Sequence, residues 1–144
     1  MIVLIQNEIR EILQKYKVIA IVGLSSDEAK PSYKVSEYMQ AHGYRIVPVN
    51  PFVKEVLGEK SFRSLLDIPV EIRKTIQVVD IFRRPNDVLS VVEQAVKLKR
   101  DNGNPYVIWM QQGIVNEEAA KVAREAGLKV IMDKCIMVEH KGLR

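Results

Sequence analysis

Short, largely apolar runs alternate with helix-spaced segments along this sequence, and no other feature limits its fold as strongly. Residues 18–22, Val-Ile-Ala-Ile-Val, are apolar at every position and are followed by Gly23. Such a run is typical of a β-strand that is buried on both faces of a sheet. Between this run and the later ones, apolar residues fall at i, i+3, i+4 and i+7, as in amphipathic helices. Similar runs recur at residues 44–49, 77–82, 106–109 and 128–132, with one or two polar residues in each of them except 106–109.

Alternating strands and helices predict an α/β fold, because parallel strands need crossover helices between them. The runs predict an open parallel sheet of about five strands with helices on both faces. Right-handed crossovers leave few strand orders, and among these we favour the Rossmann-like order 3-2-1-4-5. Residues 52–66 are the least regular part, with a short helix expected near Ser64–Asp67. No element is assigned to residues 133–144.

Several helix boundaries are marked in the sequence. Pro31 suits the first turn of a helix, and Gly43 is placed to end that helix. Asn116 can cap a later helix, with Glu117 and Glu118 favourable in its first turn. We therefore expect helix N-termini to follow the first and the fourth apolar runs closely.

Length and composition fit a single domain spanning residues 1–144, with 47% hydrophobic residues to form its core. Cys135 is the only cysteine and there are two histidines, so neither a disulfide framework nor a metal site is expected. The apolar runs are too short to span a membrane, and the N-terminus lacks signal-peptide features, so we expect a cytoplasmic protein. The net charge of +4 mildly favours anionic partners but does not indicate nucleic acid.

Ligands of open parallel sheets bind beyond the C-terminal ends of the strands. Here that rule predicts a site made by the loops 23–34, 50–54, 83–87 and 110–116. Gly23 lets the backbone approach a ligand, and the helix beginning near Pro31 directs free N–H groups toward it. We expect a side chain at Gly23 to crowd a bound diphosphate while leaving the fold largely intact. The same loop adds hydroxyl and ammonium groups, which fit either a diphosphate cradle or an ordinary polar loop: Ser25, Ser26, Lys30, Ser32 and Lys34.

The first loop is not a dinucleotide fingerprint. The pattern G-x-G-x-x-G would need glycines where this chain has Ser25 and Glu28. An NAD site also expects an acidic residue after the second strand, where this chain has Asn50-Pro51. No G-x-x-x-x-G-K-[ST] sequence occurs either. The sequence therefore predicts a nucleotide-like ligand other than NAD.

Two arginines, Arg83 and Arg84, follow the third apolar run. Guanidinium groups match phosphate oxygens well, so we expect at least one of them to face the site. The alternatives are that both are solvated or that one pairs with Asp87. Lys54, after the second run, is a further candidate for the same role.

No residue is assigned a catalytic role. His42 lies on the apolar face of a predicted helix and is interpreted as a packed residue, and His140 lies in the tail. Asp80, inside a strand, is interpreted as a buried structural carboxylate. Cys135 follows the fifth run on the same sheet edge as the site, where an inert thiol is favoured over a redox contact with a bound thiol.

Nine short motifs, spread over nearly the whole chain, occur together in this sequence. They are Gly23-Leu24-Ser25, Lys30-Pro31-Ser32-Tyr33-x-Val35, Val47-Pro48-Val49-Asn50-Pro51, Val79-Asp80-Ile81-Phe82-Arg83-Arg84-Pro85, Trp109-Met110-Gln111-x-Gly113-Ile114, Glu117-Glu118-Ala119-Ala120, Ala126-Gly127-Leu128, Met132-Asp133-x-Cys135 and Glu139-His140. Together they resemble the motifs of the small stand-alone CoA-binding proteins, the YccU-like group. That group is in turn similar to the N-terminal CoA-binding domain of the succinyl-CoA synthetase α subunit.

This resemblance implies a Rossmann-like domain that binds coenzyme A or an acyl-CoA. It implies that the turn 23–26 holds the phosphates, that Asn50-Pro51 lies by the adenosine, and that residues 82–85 line the path of adenine and pantetheine. Residues 111–113 would then lie near the thiol end. The residues that we expect to contact the ligand are Gly23, Leu24, Ser25, Ser26, Lys30, Ser32, Tyr33, Val35, Asn50, Pro51, Lys54, Phe82, Arg83, Arg84, Pro85, Gln112 and Gly113.

Ligase activity is not implied, because the synthetase also uses a second domain with a phosphorylated histidine and a nucleotide-binding partner subunit. We therefore expect a coenzyme A-binding protein without catalysis of its own and with no metal. Three alternatives stay open: an accessory subunit of an acyl-CoA ligase or transferase, a redox module that forms a mixed disulfide with CoA at Cys135, and, least favoured, an NAD-type oxidoreductase.

Overall fold

The computed structural model describes residues 2–143. Five parallel strands form the main sheet in the order β2-β1-β5-β6-β7, and two short strands form a separate hairpin. The strands are β1 (Val18–Val22), β2 (Arg45–Val49), β3 (Glu55–Val56), β4 (Glu59–Lys60), β5 (Val78–Ile81), β6 (Val107–Met110) and β7 (Lys129–Ile131). The helices are α1 (Ile2–Lys15), α2 (Pro31–Ala41), α3 (Val70–Arg73), α4 (Pro85–Asn102), α5 (Glu117–Glu125) and α6 (Ile136–Lys141), with a 3₁₀ turn at Leu65–Asp67.

The sheet is covered on both faces, as its apolar strands require. Ala20, Val22 and Ile81 pack on one face against α4 and α5. Ile21 and Trp109 pack on the other face against α1, α2 and α6. Each face thus has its own buried cluster, which confirms the predicted α/β class with an open parallel sheet and helices on both faces.

The predicted strand order is wrong. Numbered along the five apolar runs, the order is 2-1-3-4-5 rather than 3-2-1-4-5. Phe62 forms a parallel bridge with Val49. Its backbone N–H donates to the carbonyl of Pro48 at 3.1 Å, and its own carbonyl accepts from the N–H of Asn50 at 2.8 Å. Because these bonds occupy the outer edge of β2, β5 pairs with the free edge of β1 instead.

Two further expectations need correction. His42 is exposed rather than packed in the core, and its ring stacks on Tyr38 with centroids 4.0 Å apart. The predicted loop 83–87 is shorter than expected, because α4 already begins at Pro85. Within residues 2–143, no helix combines the length and hydropathy that a membrane crossing needs.

Candidate functional site

The C-terminal ends of β1 and β5 lie side by side, because these strands are neighbours in the sheet. The strand order reverses at this point, which is where open α/β sheets bind ligands. A cavity of about 590 Å³ opens there. The predicted site residues that line it are Gly23, Ser25, Lys30, Ser32, Val35, Phe82, Arg83, Arg84, Pro85 and Gln112.

Gly23 is required by the contact between β1 and β5. Its φ is +92°, in the left-handed region that favours glycine. A Cβ atom built at this position would collide with the backbone carbonyl oxygen of Phe82. The expectation that a side chain here would leave the fold largely intact is therefore wrong, since the clash is with the backbone of the residue that directly follows β5.

The turn after Gly23 is held by backbone-to-hydroxyl hydrogen bonds. The N–H of Ser25 donates to Oγ of Ser32 at 3.0 Å, and the N–H of Asp27 donates to Oγ of Ser25 at 3.0 Å. Each hydroxyl accepts one of these bonds and keeps its own proton to donate. Ser32 is in the first turn of α2, so the positive end of that helix also lies at the cavity.

The first turn of α4 meets the cavity from the β5 side, at Pro85. Arg83 and Arg84 differ in exposure: 39% of the Arg83 side chain is exposed, against 86% for Arg84. Both approach Oδ2 of Asp87, with nitrogen–oxygen distances of 3.6 Å from Arg83 and 3.4 Å from Arg84. The predicted pairing with Asp87 is therefore present for both arginines, and both still line the cavity.

The far end of the cavity includes residues absent from the predicted list: Gln111, Ile114 and Cys135, together with Pro31 at the near end. Oε1 of the buried Gln111 accepts from the N–H of Ile136 at 3.1 Å, which ties the end of β6 to the start of α6. Cys135 is partly exposed at this junction. The signal for Gln111 and Ile114 was present in the sequence, because both lie in the predicted loop 110–116.

Several predicted residues do not line the main cavity. Leu24 is fully buried among the core residues beneath α1 and α2. Asn50 holds the loops together: its Nδ2 donates to the carbonyl of Leu24 at 2.9 Å, and its Oδ1 accepts from the N–H of Phe52 at 2.9 Å. The N–H of Gly113 donates to Oδ1 of Asp133 at 2.7 Å. The others outside the main cavity are Ser26, Tyr33, Pro51 and Lys54.

Two smaller cavities adjoin the main one and share residues with it. The first, of about 140 Å³, shares Arg83 and includes Pro51, Arg63 and Asp87. The second, of about 250 Å³, shares Gln112 and Cys135 and includes Lys134 and Val138. All three cavities lie at the C-terminal edge of the sheet, with the main one between the other two, and together they are termed the groove. This arrangement suits an elongated ligand with chemically distinct segments.

Asp80 lies within β5, one residue before the end of the strand, and is fully buried. Neither of its carboxyl oxygens has a hydrogen-bond partner among the described residues. Burial raises the pKa of this carboxyl well above its ordinary value, so the neutral acid is the favoured form. The expectation that this side chain is buried is confirmed. Within residues 2–143, no three His, Cys, Asp or Glu side chains are grouped to hold a metal ion.

Two comparisons relate the chain to full-length proteins. It is 45% identical over 133 residues to an uncharacterized protein, YneT, of Bacillus subtilis (strain 168), an alignment covering 92% of each chain. It is 27% identical over 133 residues to the ADP-forming acetate–CoA ligase of Methanocaldococcus jannaschii. That second alignment covers 88% of this chain but 18% of the ligase, so it relates the chain to a small part of that enzyme.

The fold is shared with solved structures. A hypothetical protein from Pyrococcus horikoshii OT3 superposes with a TM-score of 0.86 at 43% sequence identity, covering 96% of this chain and 91% of that one. Residues 17–141 match the family described as CoA binding domain. This match confirms the resemblance drawn from the loop motifs. The chain belongs to the CoA binding domain family.

Proposed function

We propose that this protein binds coenzyme A in the groove at the C-terminal edge of its sheet and has no catalysis of its own. The observation that carries the proposal is the chain of three adjoining cavities, with Arg83 at one junction and Cys135 at the other. Coenzyme A is an elongated diphosphate ester with a nucleoside at one end and a thiol at the other. Its length and its separate chemical segments match this arrangement.

The diphosphate would lie in the main cavity, where positive charge and donors meet. The hydroxyls of Ser25 and Ser32, the N-terminus of α2 and the guanidinium of Arg83 surround that space. Charge-assisted hydrogen bonds from arginine to phosphate are among the stronger polar contacts in proteins. Lys30 and Arg84 at the rim would add long-range attraction for a polyanion.

The nucleoside and the thiol would lie at opposite ends of the groove. Pro51 lines the small cavity beyond Arg83, in agreement with an adenosine near Asn50-Pro51. Gln111, Gln112 and Cys135 line the opposite end, where the thiol or a short acyl group would sit. None of these side chains is arranged with a base or an acid in the manner of a catalytic dyad, which supports binding without turnover. We expect this role in the reducing cytoplasm.

Isothermal titration calorimetry of the purified protein against coenzyme A, acetyl-CoA, NAD and ATP tests the proposal. We expect one molecule of coenzyme A to bind per chain, more tightly than NAD or ATP. Comparable affinity for acetyl-CoA would show that the thiol end tolerates an acyl group. Equal or tighter binding of NAD, or no binding of coenzyme A, would overturn the proposal.

A second candidate function is supported by the place of Cys135, which lines both the main cavity and the cavity of about 250 Å³ beyond it. A CoA disulfide bound there could exchange with this cysteine. In that step the Cys135 thiolate attacks CoA disulfide, the mixed disulfide forms, and one CoA thiolate leaves and takes up the proton. The protein would then act as a redox module.

Intact mass measured under non-reducing conditions, after incubation with CoA disulfide, tests this candidate. We expect an adduct of one CoA per chain that is lost on treatment with dithiothreitol and absent from Cys135→Ser. The variant also serves as a binding control, because it should still bind reduced coenzyme A. An unmodified wild-type mass under these conditions would eliminate the redox candidate and leave the binding proposal in place.

A further inference from the structure

Gln111 brings an unused hydrogen-bond donor to the thiol end of the main cavity. Only 4% of this residue is exposed, yet it lines that cavity. Its Oε1 accepts from the N–H of Ile136 at 3.1 Å. Among residues 2–143, no atom accepts a hydrogen bond from its Nε2, which is not one of the fully enclosed polar atoms that lack a partner. The two N–H groups on Nε2 are therefore open to a ligand in the cavity.

The orientation of this amide is fixed by the chain around it. A backbone N–H only donates, so the amide oxygen is the atom that faces Ile136, and the nitrogen is left for the cavity. Two more hydrogen bonds hold the same junction. Nε1 of Trp109 donates to the carbonyl of Lys134 at 2.8 Å, and the N–H of Lys134 donates to the carbonyl of Met110 at 3.3 Å. The Nε2 donors are thus positioned before a ligand arrives, which lowers the cost of ordering them on binding.

The amide lies beside Cys135, where the proposed binding mode places the sulfur of the ligand. Ile136, the partner of the amide, directly follows Cys135, and both Gln111 and Cys135 line the main cavity. We therefore expect the atoms bonded to that sulfur to meet Gln111. A thiol is a weak acceptor, whereas the carbonyl oxygen of a thioester can accept from an amide N–H. A ligand that covers these donors without offering an acceptor leaves them buried and unpaired, which costs binding free energy.

The cavity of about 250 Å³ next to Cys135 offers space for an acyl group. Its lining contains one aliphatic side chain, Val138, beside amide and charged side chains: Gln112, Asp133, Lys134 and Glu139. A long alkyl chain gains binding free energy when it leaves water for apolar surroundings, and this lining supplies little apolar surface. The space therefore fits an acyl group of few carbons better than a fatty acyl chain.

We infer that Nε2 of Gln111 donates a hydrogen bond to the thioester carbonyl of a short-chain acyl-CoA, and that such thioesters are the ligands this site selects. The inference rests on the proposed binding of coenzyme A. It adds which form of coenzyme A is preferred and which residue selects it. Gln111 determines specificity in this role and takes no part in a reaction.

Titration calorimetry with acetyl-CoA and S-ethyl-CoA tests the inference. Both ligands carry a two-carbon group on sulfur, but S-ethyl-CoA is a thioether and lacks the carbonyl oxygen. We expect wild-type protein to bind acetyl-CoA about fivefold or more tightly than S-ethyl-CoA, since one hydrogen bond to a buried donor is involved. Hexanoyl-CoA should bind no more tightly than acetyl-CoA, and a clear gain in affinity would contradict the selection of short acyl groups.

Two substitutions test whether this preference comes from Gln111. In Gln111→Glu at about pH 8, the carboxylate still accepts from Ile136 but cannot donate, so the preference for acetyl-CoA should disappear or reverse. In Gln111→Met the whole amide is lost, and the two affinities should become similar. Gln40→Met is the matched control, because Gln40 is partly buried near the C-terminal end of α2 and its Nε2 already donates to the carbonyl of Leu57 at 3.0 Å. It should keep the wild-type preference.

The outcomes separate the inference from the proposed function. Wild-type protein that binds coenzyme A but binds acetyl-CoA and S-ethyl-CoA equally would overturn the inference and leave the proposed function standing. A preference for acetyl-CoA that persists in both Gln111 variants would also overturn it, because another donor would then hold the carbonyl. Loss of all binding in both variants would overturn it too, since Gln111 would then support the groove instead of selecting the ligand. Absence of coenzyme A binding to wild type would overturn the proposed function itself.

Discussion

Arg83 and Arg84 are neighbours in the sequence, yet they stand in different surroundings. Arg83 lines two adjoining cavities and its side chain is 39% exposed, whereas the Arg84 side chain is 86% exposed at the rim. An exposed charge is well solvated and gains little from one more partner. A half-buried guanidinium between two cavities gains more binding free energy from a contact with a ligand. The two arginines should therefore contribute unequally to binding.

We predict that Arg83→Ala lowers the affinity for coenzyme A by about 10–100-fold, the range expected for charge-assisted hydrogen bonds. Arg84→Ala should lower it only a few-fold. Because Arg83 is expected to contact the diphosphate, which both ligands contain, Arg83→Ala should lower the affinity for coenzyme A and for dephospho-CoA by similar factors. Titration calorimetry of both variants with both ligands checks this, and equal effects of the two substitutions would contradict the assigned roles.

The sequence predicts the arginine pair but not which member faces the groove. That distinction depends on where α4 begins, since the residue before Pro85 is the helix N-cap. The sequence also identifies Gly23 as a site residue, but it does not show why a glycine is needed there. The carbonyl of Phe82 lies against Gly23 only because β1 pairs with β5. Long-range strand pairing cannot be read from local pattern.

The burial of Asp80 should make the stability of the protein depend on pH. Its folded pKa is raised well above the ordinary value, so the unfolded chain releases this proton at lower pH than the folded protein does. Between those two pKa values the folded state holds more protons, and the free energy of unfolding therefore falls as pH rises. Asp80→Asn cannot ionise and should lose this dependence.

Urea unfolding of wild type and Asp80→Asn at about pH 4.5 and about pH 8 measures the effect. We expect the unfolding free energy of wild type to fall relative to that of Asp80→Asn as pH rises. Asp101→Asn, an exposed substitution, should follow the wild-type curve. A constant difference between wild type and Asp80→Asn would mean that Asp80 is not held neutral.

Among the secondary-structure elements, the long ones were predictable, and so were the 3₁₀ turn expected near Ser64–Asp67 and the short strand β7, whereas the hairpin, α3 and α6 were not. β1 and α4 follow from uninterrupted apolar runs and from helical spacing over many residues. The hairpin of β3 and β4 has two residues per strand, and α3 and α6 have four and six residues, which is too little sequence for a period to appear. The strand order depends on Phe62 at the edge of β2, and no local pattern marks that bridge.

Asn116 connects two elements that support the groove. Its Oδ1 accepts from the N–H of Ala119 at 2.9 Å and caps α5, as the sequence predicts. Its Nδ2 also donates to the carbonyl of Pro85 at 2.9 Å, in the first turn of α4. One side chain thus fixes the start of α5 against the start of α4.

We predict that Asn116→Ala lowers the free energy of unfolding by about 1–2 kcal/mol, because a helix cap and a second hydrogen bond are lost together. Asn116→Asp keeps the capping oxygen and should lose less. Denaturant unfolding of both variants measures the difference. If Asn116→Ala proves as stable as wild type, the cap contributes nothing to the fold.

Across the whole molecule, a cluster of aromatic and imidazole rings joins α2 to α6, two helices that also contribute residues to the groove. The hydroxyl of Tyr38 lies 2.7 Å from Nδ1 of His140, and the rings of His42 and Tyr44 lie edge-on to that imidazole. Burial lowers the pKa of His140, and the nearby charges of His42 and Lys17 lower it further. The cluster therefore favours a neutral imidazole.

We predict that the protein loses stability as pH falls below about 6.5, because the unfolded chain then takes up a proton that folded His140 resists. His140→Asn offers an amide oxygen near the place of Nδ1 and cannot titrate, so its stability should depend less on pH in this window. Thermal unfolding at about pH 7.5 and about pH 5.5 compares the two. Parallel losses in wild type and variant would rule out His140 as the source.

The central claim is that one coenzyme A molecule lies along the three cavities of the groove, and a crystal structure with coenzyme A tests it most directly. We expect the diphosphate beside Ser25, Ser32 and Arg83, the adenosine beside Pro51, and the thiol end next to Cys135. Coenzyme A bound elsewhere on the molecule, or a groove left empty at saturating ligand, would contradict it.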